Sequence, residues 1–296
     1  MPRWSDGAPS ADRVVPVDGE PVRLLEWPGE APALLAWPGM GSRAEYFGLL
    51  AERLPNHLWA VDPPGVGPVS TGLPTVERAL AIWERLLAET GAAVVVGHSW
   101  GAFLARLAQG ALEATVRGAV LLDGGYMPWV NPGESLEAEI AEGLAFLGRQ
   151  THRRLEDAVA ADLQAYRDRG LSVTPTLVRM VRSGWMRRDD GAWHPAMSPA
   201  AFGAAMRSMA VLPEEAYLAV AGRALLVTPA DEAGAPDGTA GGEADRTAAQ
   251  RREWLGAFAR QPGHRVVTLA GLTHELLPEG GDEVARVIRA WLADLA

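Results

Sequence analysis

From residue 21 onward the chain alternates short runs of β-branched and apolar residues with longer stretches whose apolar positions recur at helical spacing. The short runs predict strands at 22–27, 33–37, 58–61, 93–96 and 116–122, with the first two joined as a hairpin around "GEAP". Between them the spacing predicts helices over 43–53, 75–89 and 100–112, the second opened by Thr75 as N-cap. Strands that take turns with helices in this way build a largely parallel sheet covered on both faces.

After Asp123 the rhythm changes. Amphipathic helical segments such as 134–147 and 155–169 follow with no convincing strand among them, so 127–212 is expected to be a helical cap inserted into a core formed by 1–126 and 213–296. The β-pattern resumes with "GRALLVTPAD" at 222–231. It continues through a Gly/Ala-rich loop, a helix near 246–260, the run "HRVVTLAG" at 264–271 and a final helix containing "DEVARVIRAWLADL". The chain has no internal repeat.

Composition narrows the function classes. In 296 residues, 48% of them hydrophobic, there is ample material for a large core. A formal charge of −10 opposes a nucleic-acid backbone, and the basic doublets Arg153-Arg154, Arg187-Arg188 and Arg251-Arg252 are too short to offset it. The absence of cysteine excludes disulfides, thiolate metal sites and a cysteine nucleophile, and it suits a reducing compartment, the cytoplasm by default. The opening "MPRWSDGAPSADR" lacks the apolar core of a secretory signal, and no apolar run approaches the ~20 residues of a membrane span. No His/Asp/Glu cluster has metal-ligand spacing and no phosphate or dinucleotide fingerprint occurs, so neither a metal nor a cofactor is expected. The expected partner is a small-molecule substrate; the oligomeric state is not legible.

The candidate chemistry starts at "VVVGHSWGAF" (94–103), where Gly97-His98-Ser99-Trp100-Gly101 places a serine between a strand and a helix in the G-x-S-x-G pattern. Ligands of open α/β sheets bind beyond the carboxyl ends of the strands, which sorts the six histidines. His57 and His264 begin strands, His98 should point away from its neighbour Ser99, and His152 and His194 fall in the cap. His274 alone follows a strand end, so it is the candidate general base. The carboxylate that should orient it also belongs at a strand end. Asp231, after "ALLVTP", is preferred because it gives the chain order Ser99, Asp231, His274; Asp123, whose side chain could instead hold the chain reversal at Gly124-Gly125, is the alternative.

With these segments assembled, the sequence resembles the α/β-hydrolase superfamily over nearly the whole chain outside the cap. "WPGMG" (37–41) is similar to the family's oxyanion loop H-G-x-x-G with Pro38 in place of the histidine, "DPPGVGPVS" (62–70) to its D-x-x-G-x-G-x-S loop with Ser70 one position late, "GHSWG" to the nucleophile elbow and "GLTHELLPE" to the histidine loop. The resemblance implies a mostly parallel, doubly wound α/β-hydrolase sheet with an inserted helical cap, and oxyanion donors at the backbone N–H groups of Met40 and Trp100.

Ser99 stands where dehalogenases and most epoxide hydrolases of this fold carry aspartate. The resemblance therefore implies cleavage of an ester, lactone or thioester through an acyl-serine. C–C bond hydrolysis, aminopeptidase action and non-catalytic binding of a small molecule are the alternatives. Tyr126, Trp129, Trp185 and Trp193 are the candidate lining of an apolar substrate site, with packing of the cap as the competing role.

Overall fold

Period-two alternation along the inner strands sends successive side chains to opposite faces of one sheet, and each face has its own core. In β3 (Glu30–Trp37) Leu35 and Trp37 join one core, which includes Val95, Leu121 and Leu226, while Leu34 and Ala36 join the other, with Val94, Val96, Val120 and Val227. Such double burial is what near-continuous Val/Leu/Ala runs require. The computed structural model describes residues 8–130, 135–230 and 243–295.

The sheet has eight strands in the order β1-β2-β4-β3-β5-β6-β9-β10. They are β1 (Ala11–Val17), β2 (Glu20–Trp27), β3, β4 (Asn56–Val61), β5 (Val94–His98), β6 (Gly118–Leu122), β9 (Ala224–Pro229) and β10 (His264–Leu269). From β4 to β10 all pairings are parallel; β1 and β2 add an antiparallel edge. On one face lie α2 (Val76–Thr90) and α3 (Trp100–Ala111), with Trp83, Leu86, Phe103 and Leu104 buried. On the other lie α1 (Gly48–Ala51) and α10 (Leu276–Leu295), which bury Leu50, Val284, Ile288 and Trp291. Thr75 caps α2, its Oγ1 accepting the Arg78 N–H at 3.2 Å.

The strand pairing differs from the sequence expectation. The expected hairpin between the strands at 22–27 and 33–37 does not form, because β4 pairs with both and separates them. The hairpin is instead β1–β2, and its turn uses the left-handed residues Asp18 (φ 49°) and Gly19 (φ 81°).

Between β6 and β9 the chain forms α4 (Leu136–Arg149), α5 (Leu155–Asp168), α6 (Pro175–Ser183), a small antiparallel pair β7 (Trp185–Arg187) and β8 (Trp193–Pro195), α7 (Pro199–Ala210) and α8 (Glu215–Leu218). The β7–β8 pair corrects the expectation of a purely helical insertion. Leu155, Val159, Leu163, Leu177, Val181 and Trp185 give this segment a core of its own. It meets the body of the protein at the loop that leaves β4, where Gly67 N–H donates to Ala196 O and Ser198 N–H to Gly65 O, and at the end of α1, where Thr176 Oγ1 donates to Glu52. Among the described residues, no helix is long and apolar enough to cross a membrane.

Candidate active site

Ser99 sits at φ 53°, ψ −121° between β5 and α3. A non-glycine residue there costs about 1–3 kcal/mol and persists only where its surroundings enforce it. They do so through close backbone approach. A Cβ on Gly97 would lie 2.1 Å from Gly101 O, and one on Gly101 would lie 2.1 Å from Trp37 O. The two glycines of the pentapeptide thus let α3 start directly against β5 and the end of β3, lifting Ser99 out of the turn. The Ser99 N–H donates to Leu122 O at 2.8 Å, which ties the elbow to the end of β6.

The residue that follows Leu122 is Asp123, itself in a left-handed conformation (φ 47°). Gly124 lets this bend press on the elbow, because a Cβ there would meet Ser99 O at 2.3 Å. The buried Asp123 carboxylate is fully engaged. Its Oδ2 accepts His274 Nδ1–H at 2.7 Å, and its Oδ1 accepts Thr228 Oγ1 at 2.5 Å and Arg251 Nη2 at 3.2 Å. Arg251, on α9 (Glu243–Ala259), also donates through Nε to Tyr126 Oη at 2.8 Å.

Burial would push the Asp123 carboxyl up, but the hydrogen bonds from His274 and Thr228 and the charges of His274 and Arg251 hold it below the usual aspartate range. Desolvation would lower the pKa of His274. The hydrogen bond and charge of Asp123, with Glu275 adding to them, raise it above 6.5 against the opposing charge of Arg251. With Nδ1–H turned to Asp123, Nε2 is left as the basic nitrogen of a half-exposed ring whose side chain is 51% accessible.

The sequence placed Asp231 first as the partner of His274. The structure puts the Asp123 carboxylate on His274 Nδ1, and Asp231 lies outside the described residues. Asp123 therefore does not spend its side chain on the Gly124-Gly125 reversal, the role set against it from sequence.

His98 packs against the histidine loop. It is 3% exposed, stacked on Tyr46 with ring centroids 4.5 Å apart, and packed 4.9 Å from the His274 ring. Its Nε2–H donates to His274 O at 3.0 Å, so it supports the backbone of the histidine loop. Burial, and then the charge of His274, lower its pKa to about 3, so the ring is neutral.

The oxyanion loop follows β3. Ser42 N–H donates to Gly39 O at 3.0 Å across a turn whose third residue, Gly41, has φ 83°, leaving Met40 at the corner. Gly39 faces the elbow: a Cβ on it would lie 3.2 Å from the Ser99 Cβ. Pro38 is thus accommodated without moving the loop away from Ser99. Buried Asp62 anchors the loop from β4, its Oδ1 accepting Ala44 N–H at 2.9 Å and its Oδ2 accepting Arg43 Nε at 3.0 Å. Trp100 opens α3, where first-turn N–H groups have no intrahelical acceptor and the helix dipole favours negative charge.

The four aromatic candidates are held by packing contacts. Tyr126 is 2% exposed beside Arg251. Trp129 packs edge-on against Phe103 and donates through Nε1 to Met206 O at 3.3 Å. Trp185 lies in the core of the insertion with Nε1 on Asp162 Oδ2 at 2.7 Å, and Trp193 packs against the same core. Thr228, Arg251 and the contact of His98 with the histidine loop were not read from sequence. Arg251 was visible only as half of a basic doublet.

A surface cavity of about 580 Å³, lined by Glu30, Pro32, His57, Val94, Arg117 and Leu295, opens at the amino edge of the strands. That is the edge opposite Ser99, and the cavity gathers no nucleophile with a base. Among the described residues, no group of three or more His, Cys, Asp or Glu side chains could hold a metal ion.

Comparison with known proteins places the fold. The sequence profile of the alpha/beta hydrolase family matches residues 34–287. The chain belongs to the alpha/beta hydrolase family. None of the curated proteins matches it in sequence. Among solved structures it is similar to E-2-(acetamidomethylene)succinate hydrolase (TM-score 0.72, 22% identity, 96% of this chain and 99% of that one). It is also similar to an esterase of M. tuberculosis (TM-score 0.66, 19% identity, 95% and 92%) and to the thioesterase domain from the curacin biosynthetic pathway (TM-score 0.65, 18% identity, 94% and 98%). At these identities the shared property is the fold.

Proposed function

We propose that this alpha/beta hydrolase is a serine enzyme that cleaves an ester, lactone or thioester of a small to medium, largely apolar substrate through an acyl-enzyme on Ser99. The observation that carries the reading is the 2.7 Å bond from His274 Nδ1 to Asp123 Oδ2, on a bend whose neighbours Leu122 and Gly124 touch the backbone of the left-handed Ser99 elbow. In the first half-reaction His274 Nε2 takes the Ser99 hydroxyl proton as Oγ attacks the carbonyl carbon. Asp123 stabilises the resulting imidazolium, and the N–H groups of Met40 and Trp100 receive the negative oxygen. The tetrahedral adduct collapses with the His274 proton passing to the leaving alcohol or thiol. Water then attacks the acyl-serine, His274 again acting as base, and the acid is released.

The fold alone does not decide among acyl substrates; the esterase and thioesterase among similar structures are in keeping with this chemistry, and C–C cleavage and peptidase action are the alternatives that the assay below separates. A complete set of nucleophile, base and acid argues against a purely binding role. The inserted segment, 127–212, takes the part of a cap, seated on loops at the carboxyl edge of the sheet. A series of p-nitrophenyl esters of increasing acyl length tests the reading: turnover that depends on Ser99, with an optimum at short to medium chains, is expected. Absence of turnover on esters, lactones and thioesters alike would overturn it.

A further inference from the structure

The loop that carries His274 is held from below by a carboxylate that also reaches into the inserted segment. Helix α10 begins with one turn, Leu276–Glu279, which is set off from the remainder by non-helical Gly280 (φ −139°, ψ 33°). Leu272 fills the space beside this break: a Cβ on Gly280 would lie 2.5 Å from Leu272 Cδ1. The break returns Glu279 onto the loop. Its Oε2 accepts the Thr273 N–H at 2.5 Å and its Oε1 accepts the Thr273 hydroxyl at 2.8 Å. Thr273 Oγ1 in turn accepts the Glu275 N–H at 3.3 Å, so both neighbours of His274 depend on this one side chain.

The same Oε1 accepts Arg169 Nη1 at 2.6 Å. Arg169 is the C-cap of α5 in the insertion, and its guanidinium lies 4.8 Å from the ring centroid of Tyr166. The Glu279 side chain is only 8% exposed and Arg169 is 38% exposed. A carboxylate so enclosed, with Thr273 as its only neutral donor among the described residues, depends on the guanidinium to stay in place.

We infer that Glu279 is a positioning residue for His274 and that Arg169 sets it from the inserted segment, so that seating of α5 and alignment of the general base are one event. This rests on the serine-hydrolase reading above. Near-attack geometry is steep: a misplacement of about 1 Å can cost 10²-fold in rate. The other hydrogen bonds described for this loop, from His98 to His274 O and between the His274 ring and Asp123, fix His274 itself and leave Thr273 free to swing once Glu279 lets go.

The experiment compares wild type, Arg169→Met, Arg169→Lys, Glu279→Gln and the Arg169→Met/Glu279→Gln double variant. The readouts are kcat and KM on p-nitrophenyl acetate, the second-order rate of Ser99 labelling by a fluorophosphonate, and thermal unfolding. The expected result is a fall of tenfold or more in kcat and in labelling rate for Arg169→Met, with KM within twofold. Arg169→Lys should recover most of it, and the double variant should be no slower than the worse single. Because Arg169 is partly exposed, its variants should remain folded.

Wild-type kcat and labelling in folded Arg169→Met, whatever its melting temperature, would overturn the inference, as would strictly additive losses in the double variant. Should Arg169→Met not fold, Arg169→Lys and Glu279→Gln decide by the same kcat-against-KM split. A wild-type enzyme with neither labelling nor turnover would overturn the serine-hydrolase reading itself, which separates the two failures.

Discussion

His98 should make the protein sensitive to acid in a way that one substitution removes. In the folded protein its Nε2–H is committed to His274 O and its Nδ1 is buried without a partner, so protonation would place an unsatisfied charge among Tyr46, His274 and the sheet. The folded pKa of about 3 lies well below the 6.5 of the unfolded chain. The unfolded state therefore binds more protons throughout that window, and stability falls as pH falls from 6.5 toward 3. At pH 4 the unfolded imidazole is charged and the folded one is not. At 1.36 kcal/mol per pKa unit, His98 alone removes about 3 kcal/mol between pH 7 and pH 4.

The assay is urea unfolding of wild type and His98→Gln at both pH values. Glutamine keeps a donor at the reach of Nε2 and does not titrate, so its packing cost enters equally at both pH values and cancels. Other groups, His264 and Asp123 among them, titrate in both proteins. The loss on acidification should be smaller by about 3 kcal/mol in His98→Gln. An equal loss in the two proteins would refute the reasoning that His98 is held neutral by burial.

Asp123→Asn should lower kcat on p-nitrophenyl acetate by about 10⁴ with little change in KM, since the amide keeps the shape but not the charge that stabilises the imidazolium; wild-type turnover would move the acid elsewhere. The acid limb of kcat/KM should report neutral His274, with its midpoint above 6.5 and activity falling about tenfold per pH unit below it. Arg251→Met removes a positive charge that opposes protonation of His274, alongside Asp123 and Glu275 which favour it. The limb should therefore shift to higher pH, and an unmoved or lowered midpoint would contradict the geometry. Trp185→Ala should cost about 3–5 kcal/mol in the core of the insertion, read as a lower unfolding midpoint; a change in acyl-chain preference with unchanged stability would return Trp185 to the substrate site.

The elbow was legible because its spelling is a steric necessity: Gly97 and Gly101 sit where backbone atoms leave no room for a Cβ, so composition and position coincide. His274 stood out as the candidate base because the carboxyl ends of the strands are where a base for Ser99 belongs, and the six histidines fall on different edges. The carboxylate partner of His274 was not legible, because β6 and β9 are neighbours in the sheet and the sequence pattern offers a carboxylate after each. The partners that Asp123 finds, Thr228, Arg251 and the elbow itself, are all distant in sequence and left no local signal. The same limit hid β4 between β2 and β3, since strand order is a long-range property and turn signals are local. β1 escaped because Arg13 and Pro16 interrupt its alternation, and β7 and β8 are three residues each, too short to show a period.

Whether Ser99 is the nucleophile is decided by intact-protein mass spectrometry after exposure to a fluorophosphonate. A single covalent adduct is expected on the wild type, mapped by proteolysis to the peptide containing Ser99, with no adduct on folded Ser99→Ala and labelling slowed by orders of magnitude in His274→Ala. An adduct of equal yield on Ser99→Ala, or none on a folded wild type, would contradict that role.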